Sequence, residues 1–167
     1  MSATPSPFDT PSPFATPEIV ELPAQDLAVV RERVAFDAIP GLYDRAFPLI
    51  FATLARLELA PVAPPCGVIR GEPGAELDLG VAVPIAAPLP DADTGEVRSE
   101  LLPGGRAATL LVRGEYDLLG AAYEHLYAWL AAAGETPSGV AWEQYLTEPT
   151  PDGDPAQNET LLAVHLS

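Results

Sequence analysis

The sequence predicts an α+β fold in which two β-α-β-β units form an antiparallel sheet backed by two helices. Three observations lead there. The chain repeats itself from Glu18 onward, each half places period-two segments around one helical stripe, and 167 residues suffice for a single domain with a sizeable core.

The repeat is read from offsets. Leu22-Pro23-Ala24, Ala28-Val29-Val30 and Arg33 fall on Leu102-Pro103-Gly104, Ala108-Thr109-Leu110 and Arg113 at an offset of 80. Phe47, Phe51, Leu54 and Pro61 fall on Tyr123, Tyr127, Leu130 and Pro137 at 76, as Glu72-Pro73 falls on Glu148-Pro149. Asp78 and Val81-Ala82-Val83 meet Glu159 and Leu162-Ala163-Val164 at 81. The repeats span about 18–84 and 98–166, within a domain of residues 18–167.

Residues 1–17 stand outside it. Thr4-Pro5-Ser6-Pro7-Phe8 recurs as Thr10-Pro11-Ser12-Pro13-Phe14. Such a Pro/Ser/Thr segment has too little apolar surface to offset its ordering entropy and is expected to be disordered or extended. Short leading strands follow over Ile19–Leu22 and Val97–Leu101, then strands with β-branched alternation over Leu27–Val34 and Ala107–Val112. Tyr43, Ala46, Phe47, Ile50, Leu54 and Leu57 give the first helical stripe; Leu119, Ala122, Tyr123, Leu126, Tyr127 and Leu130 give the second. Asp117 is the expected N-cap of the second helix and Gly134 its left-handed stop. Pro48 must lie near the first turn of the first helix or kink it. Two strands close each unit: Cys66–Gly71 with Leu77–Pro84, and Ala141–Thr147 with Glu159–Leu166.

Composition narrows the function. Eight basic residues, all Arg, stand against 24 acidic ones, for a net charge of −16. Phosphate-backbone recognition needs clustered Lys and Arg, so direct nucleic-acid binding is excluded from the expectations. With no Lys, Schiff-base and Walker-type chemistry fall away too. One cysteine, Cys66, forms no internal disulfide, and the N-terminus lacks a basic segment followed by an apolar run. The longest uncharged apolar stretch, Leu79–Pro90, is short and proline-rich, so no membrane role is expected and the protein reads as cytoplasmic. His125 and His165 show no metal-ligand spacing, and no phosphate or dinucleotide loop is present. Neither metal nor cofactor is expected.

Trp142-Glu143-Gln144-Tyr145-Leu146-Thr147 carries the chemistry. On a strand Glu143, Tyr145 and Thr147 share one side, and Trp142, Gln144 and Leu146 the other. A carboxylate beside a phenol suits a lipophilic cation, the acid supplying charge and aromatic faces cation–π attraction. An ion pair at 4 Å in a partly desolvated cleft is worth about 4 kcal/mol before desolvation. On periodicity alone a solvent-exposed sheet position is the commoner role for Glu143. Tyr43, Phe47, Tyr123 and Tyr127, at helical spacing, would by the same standard be core.

The order of these motifs resembles the gyrase-inhibitor-like small-molecule-binding domains, also found as effector-binding domains of AraC- and MerR-type multidrug regulators. The resemblance covers residues 18–167. It rests on the duplicated layout, the Leu102-Pro103-Gly104-Gly105 turn, Arg113-Gly114-Glu115-Tyr116, and above all Trp142–Pro149, which is similar to the family's Glu-x-Tyr strand. It implies a pseudo-twofold arrangement with a central ligand cleft. The position of Glu143 is that of the family's buried acid, with Tyr145 a stacking and hydrogen-bonding partner. Trp142, Tyr43, Phe47, Tyr123 and Tyr127 would be the walls. Gly67 stands where the second repeat has Glu143, so the cleft is expected to hold one central acid and otherwise apolar groups. No DNA-reading helix pair precedes the domain, which makes it similar to the stand-alone members.

The function expected is binding of an amphipathic cationic or planar aromatic small molecule, for sequestration or sensing, by a non-enzymatic protein. Two alternatives accompany it: hydrolysis of electrophilic small molecules by Glu143 and Tyr145, and a protein-binding role with DNA gyrase or a regulator as partner.

Overall fold

In a computed structural model the chain forms one eight-stranded antiparallel sheet with two long helices against one of its faces. Residues 14–71, 74–90, 94–147 and 157–167 are described. The first thirteen residues, with the Thr-Pro-Ser-Pro-Phe repeat up to Pro13, lie outside them, as do Glu72-Pro73 and Glu148-Pro149.

The elements run β1 (Glu18–Leu22), β2 (Gln25–Ala35), α1 (Ile39–Arg56), β3 (Cys66–Arg70), β4 (Glu76–Pro84), β5 (Arg98–Leu102), β6 (Gly105–Arg113), α2 (Leu119–Ala133), β7 (Pro137–Tyr145) and β8 (Glu159–Leu166). Each helix is entered through a 3-10 turn. The two β-α-β-β units are thus present in the expected order.

The sheet order is β1-β6-β8-β7-β3-β4-β2-β5. Exchanging each strand for its repeat mate reverses this order, which is what a pseudo-twofold requires. The axis passes between β3 and β7, where Gly67 pairs directly with Glu143 at the repeat offset of 76. The leading strands are exchanged: β1 pairs with β6 of the second unit, and β5 with β2 of the first. Each unit therefore closes the other's sheet edge.

Each helix has its own core. Leu42, Ala46, Ile50 and Leu54 of α1 pack on Ala28, Val30, Leu79 and Val81, and Ala122, Leu126 and Leu130 of α2 pack on Ala108, Leu110, Leu162 and Val164. A third cluster, with Leu27, Val29, Val68, Ala82 and Trp142, is buried on the opposite face, around which the sheet curls. Alternate residues of one strand thus serve two cores, as the period of two dictates.

One local expectation is narrowed and three are corrected. Pro48 is not in the first turn: α1 begins at Ile39 and Pro48 lies inside it, which leaves the second of its two expected places. The carbonyl left without its helical N–H donor there is that of Asp44, an exposed residue. Asp117 does not cap α2, because it belongs to the 3-10 turn and Leu118 takes the cap position without a side-chain bond. β7 starts at Pro137 and ends at Tyr145, so Thr147 leaves the strand, and its hydroxyl accepts from the Glu159 N–H at 3.0 Å. Phe14, read as tail, packs against the α2 core with its ring 5.6 Å from His125. Gly134 does end α2 in the left-handed conformation, φ 74°.

Candidate binding site

The site forms where the axis meets the helix-bearing face. β7 holds Glu143 and Tyr145 on that face, α1 contributes Tyr43 and Phe47, and α2 contributes Tyr123 and Tyr127. Six of the seven residues expected from the sequence are brought together around Glu143 by two helices and one strand.

Each oxygen of the Glu143 carboxylate accepts a hydrogen bond from a phenol. The Tyr123 hydroxyl donates to Oε1 at 3.0 Å and the Tyr145 hydroxyl to Oε2 at 2.8 Å. The Tyr43 hydroxyl stands 2.5 Å from that of Tyr145. An ionised carboxylate only accepts, so Tyr145 spends its proton on Glu143 and Tyr43 donates to Tyr145. This is a hydrogen-bonded chain that starts in the first repeat and ends on the acid of the second. It also corrects one expectation: the surroundings of Glu143 are hydroxyl-bearing aromatics, not apolar groups.

No Arg reaches Glu143 among the described residues; the ion pairs formed there all involve other acids. Burial pushes its proton affinity up from the ordinary carboxylate range, while the bonds from Tyr145 and Tyr123 pull the other way. Burial likewise lifts the Tyr123 and Tyr145 phenols well above their usual range, with the negative charge of Glu143 adding to it. Both stay protonated and act as donors at neutral pH.

Aromatic rings lead outward from the acid. Tyr43 meets Tyr145 edge-on at 5.8 Å and Phe47 at 5.6 Å, and Phe47 stacks on Phe51 at 6.1 Å. On α2, Tyr123 stacks on Tyr127 at 6.4 Å. Phe51 and Tyr127 are repeat mates and are 42% and 40% exposed, so each helix ends its ladder with one solvent-facing ring. Phe51 was not among the expected site residues. Its offset match to Tyr127 and its place four residues beyond Phe47 were the signals for it.

Trp142 is the seventh expected residue, and it is not in this group. It points to the opposite face and is 4% exposed. There it borders, with Cys66 and Leu102, a separate cavity of about 190 Å³. Strand alternation is the reason: neighbours of Glu143 on β7 cannot share its side. Burial pushes the Cys66 thiol up to about 12, leaving it protonated. His165 bridges Ser138 (2.6 Å) and the Gly104 carbonyl (2.9 Å), tying the turn before β6 to the start of β7. No cluster of His, Cys, Asp or Glu among the described residues is arranged to hold a metal.

Sheet and axis together define a class: a twofold-built α+β domain with one half-buried acid set between two aromatic helices. The chain belongs to the GyrI-like small molecule binding domain family, whose model matches residues 15–165. No curated protein sequence matches it. Among solved structures it is similar to the EcmrR C-terminal domain, at 18% identity and a TM-score of 0.78, over 92% of this chain and 98% of that one. The EcmrR chain in its DNA complex gives 0.75 at 18% identity over 90% of this chain, which spans 57% of that longer one. SAV2435 bound to tetraphenylphosphonium gives 0.66 at 13% identity, over 92% and 94% of the two chains. A hydrolase from Listeria innocua gives 0.62 at 13%, over 96% and 95%. At these identities the likeness establishes the fold. No helix among the described residues is long and apolar enough to cross a membrane.

Proposed function

We propose that the chain binds a lipophilic cation bearing aromatic groups in the cleft between α1 and α2, for sequestration or sensing. The observation that carries this is the half-buried Glu143 carboxylate with phenols but no guanidinium beside it. A carboxylate so placed gains more from an arriving cation than one already paired with a guanidinium, because neutral phenols solvate its charge without neutralising it. Tyr145 and Tyr123 orient the acid; Tyr43, Phe47, Phe51 and Tyr127 offer π faces to the rest of the ligand. The net charge of −16 favours the approach of cations and repels anions. SAV2435, of the same fold, is a tetraphenylphosphonium binder.

Calorimetric titration with tetraphenylphosphonium tests this. Saturable binding to the wild-type chain, weakened by Glu143→Gln, is the expected result; equal binding by both proteins would remove Glu143 from the account.

A second reading is hydrolysis of an electrophilic small molecule. The raised proton affinity of Glu143 suits a general base, and the phenol chain could carry the proton. A structure of similar fold is that of a hydrolase. Mass spectrometry of candidate electrophiles after incubation separates the two readings: intact ligand throughout supports binding alone, and products absent from Glu143→Gln support catalysis.

A further inference from the structure

Gly67 faces Glu143 across the pseudo-twofold axis. Its backbone does not ask for glycine, since it is not among the residues with positive φ. Space does. A Cβ built there would fall on the Tyr43 hydroxyl, far inside contact distance, and lie 3.2 Å from the Tyr145 hydroxyl and 3.3 Å from Tyr43 Cζ.

We infer that Gly67 is a positioning residue: its missing side chain seats the Tyr43 hydroxyl over the axis, where it donates to Tyr145 and through it supports Glu143. The inference rests on the reading of Glu143 as the ligand's charge partner and adds what sets that acid's strength. Antiparallel partners on one face stand about 5 Å apart, so acids in both repeats would face each other and repel. One acid and one glycine break the symmetry, and a phenol from α1 fills the vacant half. A bond donated to Tyr145 polarises its O–H and strengthens the bond that O–H makes to the carboxylate. Tyr43 thereby favours the ionised form of Glu143 without touching it.

Among the described residues the groups facing Glu143 are few. They are Tyr123 from α2 with Tyr127 beyond it, Tyr145 on its own strand, and Tyr43 acting from α1. Its cross-strand neighbours Gly67 and Leu162 bring no charge. A shift in its titration on altering Gly67 therefore reports the Tyr43–Tyr145 arm.

The test is a double-mutant cycle of Gly67→Ala and Tyr43→Phe on the full chain. The Glu143 carboxyl carbon is titrated by NMR without ligand, with Glu143→Gln assigning the signal, and tetraphenylphosphonium affinity is measured in parallel. The added methyl meets the far end of a side chain, so Tyr43 yields before the backbone does. Each single variant is expected to move the Glu143 titration to higher pH, and the double variant no further than the larger single. Affinity for the probe at neutral pH should fall roughly two- to ten-fold, the weight of one hydrogen bond, and recover as pH rises. If Gly67→Ala folds poorly, Tyr43→Phe should restore it by removing the atom in the way. An unchanged titration in Gly67→Ala, or effects that add in full, would overturn the inference. Failure of the probe to bind any of these proteins would count against the cation reading, while the ligand-free titration still decides the role of Gly67.

Discussion

Two acids of this sheet, Glu143 and Glu100, sit on opposite faces in opposite company. On the curled face Arg31 reaches Glu100 with a two-pronged contact, 2.8 Å at each oxygen, and Asp78 at 2.8 Å, while Arg70 adds a bond to Glu100 at 3.3 Å. Arg31 is held more firmly charged by these acids, against the cost of its own burial. Gly80, paired with Arg31, makes room for it: a Cβ there would lie 2.7 Å from its Nη2. On the helix face Gly67 makes room beside Glu143, and a phenol enters instead of a guanidinium. The same device, a glycine opposite a charged residue, closes one network and leaves the other short of one cation. On the proposed reading, the first serves stability and the second the reception of a ligand.

The comparison can be broken most forcefully by neutralising each acid. Glu143→Gln should lower the affinity for tetraphenylphosphonium about 10- to 100-fold, or about 1.4–2.8 kcal/mol, while Glu100→Gln should stay within about two-fold in the same calorimetric titration. Stability should respond the other way round. Glu100→Gln leaves Arg31 and Arg70 without a shared acid and should cost about 1–3 kcal/mol in denaturant unfolding, toward the lower end because both partners remain partly exposed.

Finer effects sharpen the contrast. Phe51→Ala removes a solvent-facing ring of the α1 ladder and should weaken the same probe roughly two- to five-fold, leaving the melting temperature nearly unchanged. Acid dependence gives the smallest signal. Because the folded state raises the proton affinity of Glu143, its contribution to stability is fully present below the unfolded carboxylate range and is lost as pH rises through the raised value. Glu143→Gln should thus melt higher than wild type at neutral pH, with the gap closing on acidification. A gap that widens in acid would reverse the sign assigned here.

Much of this was written in simple periods. The offset of 76 that pairs Phe47 with Tyr123 also pairs Gly67 with Glu143, and an antiparallel contact between equivalent positions is an axis. Alternation alone put Glu143 and Tyr145 on one side and Trp142 on the other; treating Trp142 as a wall of the same cleft went against that period. The exchange of β1 and β5 was not legible, since a repeat shows which strands are equivalent but not which unit's edge each one completes. Nor was the hydroxyl chain. That Tyr43 would turn toward the sheet and meet Tyr145 depends on the space over Gly67, and no local pattern encodes a gap. The place of Pro48 was left open for a related reason: a proline inside a helix is tolerable where the carbonyl it orphans faces solvent.

Proton release on binding tests the central claim most directly. Titration of tetraphenylphosphonium into the wild-type chain, in buffers of different ionisation heat and from about pH 5 to 8, counts the protons exchanged per cation bound. If Glu143 receives the cation, it must ionise to do so. The expected release is largest at the acid end, declines as pH rises, and is absent in Glu143→Gln. Binding without proton release at any pH, or a release that persists in the Gln variant, would contradict it.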